Sequence, residues 1–424
     1  MSTATEIEAR IAEVSNSMKV HRDLSKQLHR KELQLRRQLN AANDPIAQLP
    51  LEVSSEIFIQ CLHPWPDPRA DEAPYILLNV CHEWCKIVLS TPTLWSTIRV
   101  VFPKANSCKE ALCTRLTRAR NRPLHIFIEI TGPPDPNVLS LVWRESARLK
   151  CLSVFLGKTD YSFSREVFEG MKPPSLKSLT TFIFRGGKTT NSCYWSYLVR
   201  LLRRCPNLIH LTLDNVMPVN VWVNDAANNL VFPHLRRIVF APDWEQLPGK
   251  ADFLKGVSAP QLETLHLPMS RRNFTRVDFQ SFLDRSMPPL QELVLDCSNV
   301  TGHALTEDAL SLMPALAHLK LIAPVPPVME HFFKILARPY SLLLPSLVHL
   351  RIRGVVPPFS DRSWKLVLDG LTARRTQIKH ASITIVAGKV KMPPRKIFGS
   401  LMDLSADGLY FFLAAGQPEE KDTV

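Results

Sequence analysis

Residues 184–190, Phe-Arg-Gly-Gly-Lys-Thr-Thr, contain the Gly-Lys-Thr ending of a phosphate-binding loop. Such a loop also needs a glycine five residues before Gly187, so that several backbone N–H groups converge on one phosphate. That position is Phe182, inside an apolar run that reads as a strand. Nucleotide binding is not indicated, and the segment reads as a loop. Cys81, His82 and Cys85, with Cys61 and His63 earlier in the chain, have the donor types of a zinc site. On a helix, residues 81 and 85 share a face while 82 points away. The two turn-held ligand pairs of a structural zinc site are missing. These cysteines therefore read as small buried apolar residues.

Thirteen histidines could serve as bases, but none lies in a Gly-x-Ser-x-Gly or His-Glu-x-x-His motif, and no paired carboxylates stand out. His210, His266, His318 and His349 read as one recurring place, immediately ahead of a strand leucine in four repeated segments. Strand alternation turns that place away from the leucines. A ligand-binding row and a set of half-exposed polar residues both fit, and the second is the simpler. No catalytic residue, cofactor or metal site is expected.

The elements that would position these residues begin with a helix over 5–41, which contains no Gly or Pro and is rich in Glu, Lys, Arg, Gln and Leu. Ile7, Ile11, Val14, Met18, Leu28, Leu35 and Leu39 follow a 3-4 heptad spacing, interrupted by His21, Ser25 and Glu32. Such a seam folds back on its own chain or pairs with a second copy. Pro45 ends this helix. A second helix opens at Leu49-Pro50 and carries Val53, Ile57, Phe58, Cys61 and Leu62. A loop with four prolines (63–74) leads to a dense apolar helix holding Ile76, Leu77, Val80, Cys81, Trp84, Ile87 and Val88. Thr91-Pro92 breaks it.

From about residue 120 a repeat appears, Pro-x-Leu-x-x-Leu-x-Leu, read as a strand entered from a proline-marked turn. Its copies start at Pro174, Pro206, Pro233, Pro260, Pro288, Pro314 and Pro345, separated by 32, 27, 27, 28, 26 and 31 residues. Residues 123–130 and 381–387 read as strands at the two ends. Helical stretches such as 194–205, 279–287 and 328–337 end just ahead of a proline. A strand–helix unit cannot bury its apolar face alone, so the copies are expected to stack into a solenoid with a parallel sheet. The pattern resembles leucine-rich repeats, without the asparagine that normally stabilises the turn after the strand. Val216, Asp243, Ser270, Ser298, Pro324 and Val355 stand there instead. Irregular curvature is the expected result.

Length, 45% hydrophobic residues and 21% charged residues suit a folded chain of several units. The net charge of +13 comes from scattered basic residues, read as solvated faces rather than a nucleic-acid site. Nine cysteines without a framework, a polar N-terminus and no apolar run near the ~20 residues of a membrane span point to the cytoplasm or nucleus. The Asn-x-Thr sites at Asn273 and Asn299 then carry no glycan.

The segment 46–100 resembles an F-box. The resemblance rests on Leu49-Pro50, Glu52-Val53, Glu56-Ile57-Phe58, Cys61-Leu62, Leu78, Val80-Cys81, Trp84, Thr91-Pro92 and Leu94-Trp95. His82, where a basic residue is common, and the long proline-rich loop depart from it. With the leading helix and the degenerate repeats, the whole chain is similar to fungal F-box proteins with leucine-rich-repeat-like tails. The resemblance implies an α/β chain divided into a coiled-coil-like helix (1–43), a small all-α F-box (44–100), an irregular leucine-rich-repeat-like solenoid (101–395), and a C-terminal cap with a polar tail (396–424). It also implies a non-enzymatic substrate receptor of a Skp–cullin–F-box ubiquitin ligase. Leu49, Pro50, Val53, Ile57, Phe58, Leu62, Val80, Cys81 and Trp84 would contact the Skp-type adaptor, which links to a cullin scaffold. An unknown protein target would bind the repeats, where Lys177, Arg236, Arg237, Glu263, Glu292, Lys320 and Arg351 are charged strand positions. The alternative is a repeat scaffold for protein or nucleic acid without a ligase role.

Overall fold

A computed structural model describes residues 3–46, 48–62, 74–102, 107–157, 175–186, 195–214, 230–240, 254, 256–270, 276–299, 305–338, 343–355, 360–386 and 392–416. The chain divides into two compact units, Met1–Arg99 with Cys113–Arg122, and Val100–Leu112 with Pro123–Val424. Residues 63–73, Gly187–Thr190 and the C-terminal tail from 417 fall outside the description.

The first unit opens with α1 (Ala4–Asn43), matching the long Gly- and Pro-free run. The Glu6 carboxylate accepts the Thr3 N–H at 3.1 Å at its start. At its end Asp44 is extended ahead of Pro45, as a residue preceding proline must be. Ile7, Ile11, Val14, Met18, Leu28, Leu35 and Leu39 are all exposed. Among the described residues none covers the seam.

Next come α2 (Leu51–Gln60), α3 (Tyr75–Leu78), α4 (His82–Ser90) and a 3-10 turn at Pro92–Trp95. The single helix expected over 75–88 is two helices, broken at Cys81. Cys81 is extended (φ −154°, ψ 172°), and its Sγ accepts the Trp84 N–H at 3.5 Å as the cap of α4. A capping side chain satisfies an orphan donor only from outside the helix, which costs the continuity. The expectation of buried apolar cysteines is likewise corrected here. Cys61 is exposed and Cys81 and Cys85 are half-buried.

The chain continues through β1 (Thr97–Phe102), α5 (Ser107–Arg118), β2 (Leu124–Ile130), α6 (Pro136–Arg144), β3 (Leu149–Leu156), β4 (Thr181–Arg185), α7 (Trp195–Leu202) and β5 (His210–Asp214). Then follow β6 (Leu230–Val231), β7 (Arg237–Phe240), β8 (Val257–Ser258), β9 (Thr264–Ser270), α8 (Arg276–Ser286), β10 (Glu292–Asn299), α9 (Glu307–Ser311) and β11 (His318–Ile322). The last elements are α10 (Pro326–Leu336), β12 (His349–Val355), α11 (Asp361–Ala373), β13 (His380–Val386), α12 (Arg395–Ala406) and β14 (Tyr410–Gly416).

The fold is mixed α/β. Twelve strands form one sheet whose order follows the chain, β1-β2-β3-β4-β5-β7-β9-β10-β11-β12-β13-β14, and β6 and β8 form a small second sheet. The pairs from β2 to β14 in the large sheet are parallel. Residues 396–416 add a further helix and strand to this series.

Pro206, Pro233, Pro260, Pro314 and Pro345 each sit second in a four-residue turn, the place a proline's fixed φ favours. Leu208, Leu235, Leu262, Leu316 and Leu347 close these turns by donating N–H to Cys205, Phe232, Ala259, Met313 and Leu344. All five leucines are fully buried. Leu211, Leu265, Leu293 and Leu319 then point inward along their strands; the residues flanking Leu211 and Leu319 stay accessible, whereas Val294 after Leu293 is buried. In the copy at Pro174, Phe182 pairs with Leu211, so Phe182 and Phe184, not Leu176 and Leu179, take the strand places.

Different side chains tie adjacent turns together in place of one asparagine row. Asn207 donates to Lys177 O at 2.8 Å, Arg285 Nε donates to Val257 O at 3.1 Å, and Arg374 Nε donates to Leu336 O at 3.2 Å. The register also shifts between Asp296 and Asn299 and between Arg353 and Val355.

Close helix packing is sharpest at Gly370 in α11. A Cβ there would lie 2.8 Å from Phe333 Cδ1 and 3.1 Å from Phe333 O. Phe333 is itself fully buried. The carbonyl cannot swing aside, so overpacking outweighs the gain in helix propensity of about 1 kcal/mol. Gly370→Ala is expected to lower stability by about 1 kcal/mol and Gly370→Val by more, read as a shift in urea midpoint at unchanged slope.

Candidate functional site

In the first unit, α2 separates its apolar residues into two lines about a quarter-turn apart. Ser54 and Phe58 form the inner line, with 0% and 1% exposure. Ser54 Oγ donates to Ile46 O at 2.9 Å, so the helix is hung on the chain that precedes it. Phe58 meets the Trp84 ring at a centroid distance of 4.9 Å and 50°. Ser55 Oγ lies 2.8 Å from Thr91 Oγ1, and Thr91 Oγ1 is in turn 2.7 Å from Ile87 O, to which it can donate. Trp95 is fully buried, and its indole N–H donates to Val88 O at 3.0 Å. Tyr75 packs edge-on against Trp95 at 5.8 Å, and the Arg118 guanidinium lies 4.4 Å over the Trp95 ring. Leu77, Ile87, Val88 and Leu94 complete this small core.

The outer line runs from Leu49, two residues ahead of α2, to Val53 and Ile57 on the helix, at 39%, 46% and 38% exposure. Leu51, Ile76 and Val80 are exposed too. Of the nine residues expected to meet a partner, Leu49, Pro50, Val53, Ile57 and Val80 present surface, while Leu62, Cys81 and Trp84 are half-buried. Phe58 has no surface left to offer and acts from behind the helix. Cys81 holds α4, and its Sγ lies 3.6 Å from Asp44 Oδ2. Leu51 and Ile76, absent from the expected set, share its exposure. Their signal was available, since an apolar residue beside a proline-started helix needs cover.

Among the described residues no group of His, Cys, Asp or Glu can hold a metal, and no described helix is long and apolar enough to cross a membrane. Phe182 is a buried strand residue, as its reading required.

On the large sheet, the row ahead of the inward leucines runs Thr181, His210, Arg237, Thr264, Glu292, His318, His349, His380 and Tyr410. His266 is not in it, correcting the row read from the sequence. It lies two residues further along its strand, in register with Val294, and its Nε2 sits 3.8 Å from Glu292 Oε1. His380 takes the place instead, without the proline that marks the other copies. No protein-family model matches the chain, and no curated protein matches it.

The two lines of α2 respond differently to truncation. Phe58→Ala leaves a cavity beside Trp84 and is expected to cost about 3–4 kcal/mol, seen as a lowered melting temperature and lost near-ultraviolet dichroism. Ile57→Ala should stay within about 1 kcal/mol of wild type.

Proposed function

We propose that the chain is the substrate-recognition subunit of a Skp–cullin–F-box ubiquitin ligase. Residues 44–100 act as the F-box, and the strand–helix series is an irregular leucine-rich-repeat-like solenoid that holds a protein target. The single observation that carries the reading is the outward line Leu49, Val53 and Ile57, left exposed although Phe58 beside it is fully packed. An apolar line of this kind on a small unit is the mark of a partner surface. Its residues coincide with those that carry the resemblance to an F-box. In this role the chain supplies no catalytic group. It raises the rate by proximity, holding the target near a loaded conjugating enzyme.

The test is co-expression with a Skp-type adaptor. Wild type is expected to co-purify with it, while Val53→Asp/Ile57→Asp is expected to lose the adaptor with an unchanged circular dichroism spectrum. Equal recovery of both would remove the reading and leave a scaffold without a ligase role.

The N-terminal helix extends the proposal. Its exposed 3-4 seam fits a second copy, with His21, Ser25 and Glu32 as polar breaks that set register. Light scattering after gel filtration is expected to give a dimer mass for wild type and a monomer mass for Val14→Asp/Leu35→Asp. A monomeric wild type would overturn this part alone.

A further inference from the structure

The accessible row of the sheet changes character along its length. At β10 it is acidic, with Glu292 in the row and Asp296 four residues on. From β11 it becomes a stack of rings. His318 and His349 are parallel at 4.4 Å and 4°, and His349 and His380 at 4.6 Å and 3°. Tyr410 continues the stack at 5.7 Å from His380, tilted by 53°. His318, His380 and Tyr410 are exposed and His349 is half-buried. Two residues along the same strands, Lys320 pairs in register with Arg351, which is exposed.

Parallel imidazoles one strand spacing apart cannot converge their nitrogens on one ion, so the stack is not a metal site. It is a surface whose charge is variable. Burial, followed by the repulsion of His318 and His380, holds the His349 imidazole below the ordinary histidine range. The central ring of the stack is thereby biased toward its uncharged form. The charged positions on the same face are Glu292 and Asp296 on β10, Lys320 on β11, and Arg351 and Arg353 on β12. Cations flank the stack on β11 and β12, and carboxylates close it off on the β10 side.

We propose that the face of β11–β14 is a docking site for a short acidic peptide segment, whose carboxylates accept hydrogen bonds from the stacked imidazoles and from Arg351. This rests on the reading of the sheet as the target-holding part of the chain and names the chemistry of the target. A short acidic segment matches the extent of the patch, about 15 Å across four strands. A phosphate backbone draws its affinity from many cations in line, and the Glu292–Asp296 end would repel one that continued past β11. Docked carboxylates favour the imidazolium form, so binding takes up protons. Affinity then rises as pH falls through the histidine range and declines above it.

The experiment uses the full chain and a rhodamine-labelled ten-residue oligoglutamate, followed by fluorescence anisotropy at pH 6.0 and 7.0. Binding is expected to be about tenfold tighter at the lower pH, the scale of one proton taken up over one pH unit. His318→Gln/His380→Gln should remove most of that pH dependence, and Arg351→Glu should weaken binding at both pH values. Unchanged dichroism verifies that both variants fold. Equal affinity at the two pH values, or a double variant that keeps the pH dependence, overturns the proposal. So does a labelled oligothymidylate of ten nucleotides binding more tightly than the peptide with a steep salt dependence. No adaptor is present, so the two readings fail separately: peptide binding without adaptor capture sinks only the ligase role, and adaptor capture without peptide binding sinks only this site.

Discussion

One carbonyl per strand entry organises the second unit. Thr180 O accepts from the N–H groups of both Ile209 and His210, and Ile209 O accepts from Arg236 and Arg237. The chain of acceptors continues through Arg236, Glu263, Gln291, Ala317 and Val348, and Lys379 O accepts from Tyr410. Each link joins one strand–helix unit to the next at the point where a strand begins. A buried backbone group left without a partner costs about as much as a lost hydrogen bond, so these entries are held in line. The parallel register and the accessible row of the sheet both follow from that alignment.

Alignment of entries has a consequence for side chains. Residues one step after the shared carbonyl fall into a single row, spaced by the strand separation. Where that residue is histidine in consecutive units, the rings must stack. Where it is Arg237 or Glu292, the row instead carries fixed charge. One backbone constraint thus produces both the acidic stretch and the ring stack, although the residues lie far apart in the chain.

The first unit works on a different balance. With α2, α3 and α4 so short, its core depends on a few large rings and on hydroxyl links such as Ser54 to Ile46 O and Ser55 to Thr91. Phe58, Trp84 and Trp95 fill the interior, and the next helix face is left outside. A larger unit would have covered that face with its own chain.

Much of this was legible in the residues. The Gly- and Pro-free run of α1 reads as a helix because nothing in it competes with helix formation. The Pro-x-Leu copies read as turn, buried anchor and strand because proline fixes φ at the turn and leucine needs cover. Less legible were features that depend on contacts distant in sequence. The break at Cys81 lay hidden in a helical apolar pattern, because a thiol seldom acts as a cap. His266 and His380 exchanged places in the histidine row because only strand register fixes a row, and motif spacing can slip by two residues without changing which face is buried. Local preference and periodicity by themselves determined most element types, the strand–helix series and the apolar residues of α2. Tertiary structure alone decided which line went inside and which histidines stack, because burial and register are set by partners that local sequence does not contain.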